Sequence, residues 1–265
     1  RHRPARDALT MAPAAPATID RVCPACGVDN ASQPGLAYAP APWRLKRCAT
    51  CAMVYLENVL DYAALTEDFA WEKLHRAESQ RRRERDRSVL WIKDALKRAR
   101  YAWRGRKRKI ERWVDRFVGS GRLLDIGCGQ GKLLAKLGPA YQPYGIEISR
   151  HYAQLAAAHA LPRGGYILLA DAVRGLGHFQ RGFFDGIVML SYLEHEAQPA
   201  PVLKGALHAM RQGGRLIVKV PNFACVNRAV RGRNWCGFRW PDHVNYFTPH
   251  ALNPMVKAAD FEDIR

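Results

Sequence analysis

Acidic residues are scarce in this chain. Only 24 Asp and Glu stand against 42 Lys and Arg in 265 residues, a formal charge of +18. No run of eighteen apolar residues occurs, so no membrane-spanning helix is expected. The first residues are rich in Arg, Pro and Ala and carry no apolar h-region, which argues against a secretory signal. Cysteines are few and odd in number, seven in all, which argues against a secreted disulfide framework and for a reducing, cytoplasmic setting. There is no internal repeat. Position 1 is Arg rather than Met, so the sequence reads as a fragment or an extended form, with Met11 a candidate start.

The positive charge is uneven. Between Arg81 and Arg116 there are sixteen Lys and Arg against five Asp and Glu, which supplies eleven of the eighteen net charges. Such a segment is either a solvated helical surface or a grip for an anionic partner such as nucleic acid. Periodicity predicts helices over 62–118, with Val89, Ile92 and Leu96 on one face and Ile110, Trp113, Val114 and Phe117 on another. Gly119-Ser-Gly121 closes this region.

Four segments follow from composition. Residues 1–20 are expected to be disordered, 21–56 to form a small cysteine module, 57–118 a basic helical region, and 119–265 an α/β domain. In the last, strands are predicted at Arg122–Ile126, Tyr144–Ile148, Tyr166–Ala170, Phe184–Leu190 and Arg215–Val220, with a sixth beginning at Phe261. Helices are predicted at Lys132–Leu137, from Ser149 as N-cap to Ala160, at Pro201–Arg211 and from Thr248-Pro249 onward, and Gly213-Gly214 reads as a turn. This alternation predicts a doubly wound, mostly parallel Rossmann-like sheet.

Two motifs carry chemistry. In Asp125-Ile-Gly-Cys-Gly-Gln-Gly131 a buried strand runs into a loop with glycine at 127, 129 and 131, so a bulky ligand can lie against bare main chain. The spacing is G-x-G-x-G, not the G-x-G-x-x-G of dinucleotide sites, although an acidic residue some twenty positions on is common to both. Cys128 reads as a packed small residue. Secondly, Cys23-Pro-Ala-Cys26 and Cys48-Ala-Thr-Cys51 form two C-x-x-C knuckles separated by 21 residues, a spacing that suits a closed tetrahedral Zn²⁺ site, with a redox pair or free thiols as the alternative.

The glycine loop, Tyr144-Gly-Ile-Glu147, Asp171, Phe184–Leu190, Leu193-Glu-His195 and Gly213-Gly-Arg-Leu-Ile-Val218, in this order, resemble the class I S-adenosylmethionine-dependent methyltransferases, over residues 120–265. The resemblance implies S-adenosylmethionine as cofactor. Gly127, Cys128, Gly129 and Gly131 would border its amino-acid part, Asp125 would reach the ammonium and Glu147 the two ribose hydroxyls. Asp171 and the Ala172 N–H would meet the adenine edge, and Ile148 and Leu190 its faces. That family's sheet carries a seventh strand, which is expected to be missing here.

A cysteine ribbon ahead of such a domain resembles a bacterial subgroup that methylates sugars and natural products. The implied acceptor is an oxygen or carbon of a small molecule such as a sugar or nucleotide-sugar. Zinc-ribbon RNA methyltransferases are the alternative, with a non-catalytic cofactor-binding module behind both. The loop after the fourth strand lacks the Asn/Asp-Pro-Pro-Tyr/Phe motif of enzymes that methylate base amines. Candidate catalytic residues are His195, just past that strand, and His243 and Tyr246, which with Trp240 lie in the aromatic segment 234–249.

Overall fold

The computed structural model describes residues 18–60, Gln80 and 109–265. Its main layer is a five-stranded parallel sheet of β5 (Gly121–Ile126), β6 (Tyr141–Glu147), β7 (Ile167–Leu169), β8 (Phe184–Leu190) and β9 (Met210–Lys219), ordered β7-β6-β5-β8-β9. The order reverses direction at β5, so the loops after β5 and β8 diverge and leave a crevice at their carboxyl ends. β8 is nearly continuous in apolar residues because both of its faces are covered.

Among the described residues the helices, an isolated helical Gln80 aside, are α1 (Lys109–Phe117), α2 (Arg150–Ala160), α3 (Ala172–Gly177), α4 (Pro199–Ala209), α5 (Val226–Arg231) and α6 (Pro249–Lys257). α2 starts where expected, its Ser149 Oγ accepting from the Tyr152 N–H at 3.1 Å, and Thr248 caps α6 in the same way at 3.2 Å. In α1, Val114 is fully buried while Phe117 remains half-exposed at the stripe's end. The remaining helices expected over 62–108, with the Val89, Ile92 and Leu96 face and most of the arginine-rich run, lie outside the described residues, Gln80 aside.

Three expectations are corrected. Lys132–Leu137 forms only a 3₁₀ turn at Leu134–Lys136, because Gly138-Pro139 ends the segment before a second α-turn can close. Gly213-Gly214 lies inside β9 as an irregularity: Phe184 pairs with Met210, but Gly186 pairs with Arg215, so the extra residues are extruded from the ladder. Residues 261–265 form no strand. The chain turns out of α6 through Asp260 and Asp263, at φ of 64° and 52°, and Phe261 is buried in the core rather than added to the sheet edge.

Ahead of this layer, β1 (Thr18–Asp20) pairs antiparallel with β4 (Asn58–Leu60), so ordered chain begins before the cysteine module. β2 (Leu45–Arg47) and β3 (Val54–Leu56) form a second small sheet, whose third strand is β10 (Asn245–Tyr246). Val54 lies opposite Tyr246, and Tyr55 opposite Asn245. Cys23, Cys48, Met53 and Tyr55 share one apolar cluster with Leu124, Ile126 and Phe247, so the ribbon and the parallel sheet are built on a common core.

Candidate active site

The carboxyl ends of β5, β6 and β8 converge around the glycine loop. Gly127, Gly129 and Gly131 all take left-handed φ, at 70°, 53° and 72°. At Gly131 a Cβ would lie 2.9 Å from the Ala156 Cα, so the loop packs directly on α2. A Cβ at Gly129 would meet nothing within 4 Å, which leaves its backbone open to a ligand. Cys128 between them is buried with its Sγ 3.8 Å from the Gly129 carbonyl, and burial pushes its thiol far up, as expected of a packed residue.

Glu147 ends β6, and its carboxylate holds the loop. Oε2 accepts from the Gly129 N–H at 2.7 Å and Oε1 from the Ser149 N–H at 3.0 Å. Asp125 is buried one strand away; burial, and then the Glu147 charge, push its carboxyl up to about 8. Asp171 caps α3, accepting from the Arg174 N–H at 2.9 Å. Ala172 is buried behind it, and Ile148 and Leu190 are half-buried at the ends of their strands.

β8 is followed by Ser191, a non-glycine residue at φ 53°, a strained turn at the rim of the crevice. The Tyr192 ring then passes over Gly127, and its hydroxyl donates to Glu196. His195 follows. Its Nδ1 faces the Asp242 backbone oxygen at 2.9 Å and the Asp242 Oδ1 at 3.0 Å, so this nitrogen carries the proton. Burial acts to lower the imidazole's pKa, but the Asp242 carboxylate outweighs it and leaves His195 above its ordinary range, while Asp242 falls to about 2.

The His195 and His243 rings stand edge to face with centroids 4.6 Å apart. His243 Nδ1 sits 2.8 Å from the Gly237 carbonyl, and burial drives this imidazole to the neutral form. The structure thus brings His195 and His243 together. Tyr246 lies in β10, packed against Phe223, Phe238 and Trp240; its buried hydroxyl has no partner among the described residues, and burial followed by the Asp242 charge holds it well above the usual phenol range.

Two residues central to this arrangement escaped the sequence reading. Asp242 orients His195 from 47 residues away, a distance that no local spacing reveals. Arg21, two positions before Cys23, donates to the carbonyls of Leu56, Ala197 and Val244 and to the Asn245 side chain, at 2.8, 2.9, 2.5 and 3.0 Å. A guanidinium beside a cysteine knuckle was the available signal.

The four ribbon cysteines form one cluster. Cys23 and Cys51 Sγ lie 3.5 Å apart, as do Cys26 and Cys48, and all four lie within 4.8 Å of one another. Thiolates about 2.3 Å from a tetrahedral ion are roughly 3.8 Å apart, so the cluster can hold a metal. The knuckles are matched: Gly27 at φ 74° donates to the Cys23 carbonyl, and Ala52 at φ 57° to that of Cys48. Burial works against the Cys48 thiolate, yet the N–H groups of Cys51 and Thr50 bring it to about 6, whereas burial takes Cys51 to about 11 and Cys23 higher.

A family described as "Methyltransferase domain" matches residues 101–265, more than half of the chain. The chain belongs to the S-adenosylmethionine-dependent methyltransferase family. Among curated relatives, the methyltransferase is 29% identical over 170 residues to the ubiquinone biosynthesis O-methyltransferase of Idiomarina loihiensis, spanning 58% of this chain and 67% of that one. It is 30% identical over 105 residues to the protein of the same name from Xanthomonas axonopodis pv. citri, spanning 38% and 43%. A solved methyltransferase from Archaeoglobus fulgidus superposes at a TM-score of 0.48 with 20% identity, covering 62% of this chain and 72% of the other. Among the described residues no helix is long and apolar enough to cross a membrane.

Proposed function

We propose that this methyltransferase moves the methyl group of S-adenosylmethionine to an oxygen or carbon of a small hydroxyl-bearing molecule, such as a sugar, nucleotide-sugar or related metabolite. The observation that carries the donor half is the Glu147 carboxylate locked to the Gly129 amide beside an open glycine backbone. On this reading the loop 127–131 borders the donor's amino-acid part and Asp125 its ammonium. Glu147 accepts from the ribose hydroxyls, Asp171 and Ala172 meet the adenine edge, and Ile148 and Leu190 its faces. The relatives named as O-methyltransferases favour oxygen over carbon as the acceptor atom.

In the transfer, the methyl carbon's bond to sulfur breaks with its electron pair left on sulfur, and the acceptor atom forms the new bond from the opposite side. The donor is already activated, so the protein's task is alignment, exclusion of water and removal of the acceptor's proton. We assign that proton's departure to the group of His195, His243 and Glu194, with Trp240 and Tyr246 behind it. The four cysteines hold a structural Zn²⁺; with all four positions filled by protein, it leaves no coordination site for substrate.

The test is transfer of radiolabelled methyl from S-adenosylmethionine to panels of sugar nucleotides and phenolic hydroxyl compounds, with total RNA in parallel. Label in the small-molecule fraction is expected. Label confined to RNA overturns the acceptor class and turns the basic segment 81–116 into the substrate grip.

A further inference from the structure

Glu194 presents an unusual problem. Its side chain is 1% exposed, and neither carboxylate oxygen has a hydrogen-bond partner among the described residues. A buried carboxylate in that state needs a proton or a cation. The positive charges of His195 and Arg239 act on it, and an oxygen of Glu194 and one ring nitrogen each of His195 and His243 lie within 4.8 Å of one another.

Both imidazoles are already oriented as metal ligands are. His195 gives its Nδ1 side to the Asp242 carboxylate and backbone oxygen, and His243 gives its Nδ1 side to the Gly237 carbonyl. Each ring is therefore held by an acceptor at one nitrogen, which leaves Nε2 as the nitrogen with a lone pair. The backbone fixes the carboxylate as well, since the Glu194 carbonyl accepts from the Val244 and Asn245 N–H groups at 2.7 and 3.0 Å.

We infer that Glu194, His195 and His243 form a second metal site, separate from the cysteine cluster, which takes a first-row divalent transition ion in the buried region just after β8. Two imidazoles and one carboxylate suit Mn²⁺, Fe²⁺, Co²⁺ or Zn²⁺ and leave coordination positions open on the ion. The ligands are harder than four thiolates, so the two sites sort ions by softness. The role of the ion rests on the methyl-transfer reading: it would anchor an oxygen of the acceptor and lower that oxygen's pKa, so that the proton passes to solvent rather than to the three side chains whose lone pairs the ion would occupy. The site itself does not depend on that reading.

The test uses the full chain with its cysteine cluster loaded with one equivalent of Zn²⁺, titrated with Co²⁺ and with Mn²⁺. One further equivalent is expected, giving cobalt d–d bands without thiolate charge transfer. Glu194→Gln and His243→Ala should each weaken it by about tenfold or more, and alanine at the exposed His151 should leave it unchanged. Nitrogen couplings from two imidazoles in pulsed electron paramagnetic resonance of the unsubstituted protein provide a readout that needs no variant. Absence of a further equivalent, absence of those couplings, or binding that survives both substitutions overturns the inference. Because no acceptor is present, this outcome is independent of the methyl-transfer assay.

Discussion

Arg21 Nη1 donates to the Ala197 carbonyl at 2.9 Å, across 176 residues of sequence. The same guanidinium grips the Val244 carbonyl and the Asn245 amide oxygen. One side chain of the cysteine module thus clamps both stretches that carry His195 and His243, 194–197 and 242–245.

Arg21→Ala should therefore act at a distance. Losing several partly buried charged hydrogen bonds should cost about 1–3 kcal/mol of stability. Donor affinity, measured by calorimetry, should stay nearly constant, while turnover falls, since the glycine loop and Glu147 do not touch Arg21. If the cysteine cluster holds Zn²⁺ as proposed, stripping that ion should give the same split, donor binding kept and transfer lost. Equal losses in both would show that the clamp is not specific to the acceptor side.

If Asp125 meets the donor's ammonium as proposed, donor uptake is pH-dependent. Its carboxyl is raised to about 8, so at neutral pH the donor-free protein holds a proton there. Pairing with a ligand ammonium pulls that value down, so binding releases a proton. Affinity should rise with pH, by up to about tenfold per unit, and level off above about pH 8. Calorimetry in buffers of different ionisation heats should count the released proton, and Asp125→Asn should abolish it. For the donor-free fold the sign is opposite to that of a paired carboxylate. A raised value makes folding most favourable at low pH, and this contribution is lost as pH climbs from the ordinary carboxylate range through about 8.

Gly131→Ala should destabilise the domain and weaken donor binding together. The residue sits at φ 72°, and its new methyl would press on the Ala156 backbone. A cost of about 1–3 kcal/mol is expected from the backbone strain alone, read by denaturant unfolding. An unchanged midpoint would mean that the loop relaxes away from α2.

Ala52→Gly is the opposite case. Ala52 occupies the left-handed region at φ 57°, in the position that Gly27 fills in the first knuckle. Glycine there should remove strain of about 1 kcal/mol, seen as slower metal release to a chelator.

The glycine loop and the carboxylate-tipped strand beside it could be read from sequence because their signals are local. A strand, three glycines and an acidic residue at the tip of the next strand are short-range facts about backbone space and register. The surroundings of His195 could not, because Asp242 and Arg21 assemble them over 47 and 176 residues. Elements failed where two short-range rules competed. The segment 132–137 has helical periodicity, but Gly138-Pro139 ends it too soon. Phe261 has a strand-like apolar character, but the core took it. The ring of Tyr246, a candidate catalytic residue by sequence, is bound into an aromatic cluster by β10, whose pairing with β3 no spacing forecasts.

That pairing has a consequence for synthesis. Val54 and Tyr55 emerge from the ribosome about two hundred residues before their partners Tyr246 and Asn245. Throughout that interval one edge of β3 is unsatisfied and open to association with another chain. Early capture of an ion by the knuckles would hold the nascent module compact until the returning strand arrives, so cells starved of the ion should accumulate aggregated rather than merely inactive product.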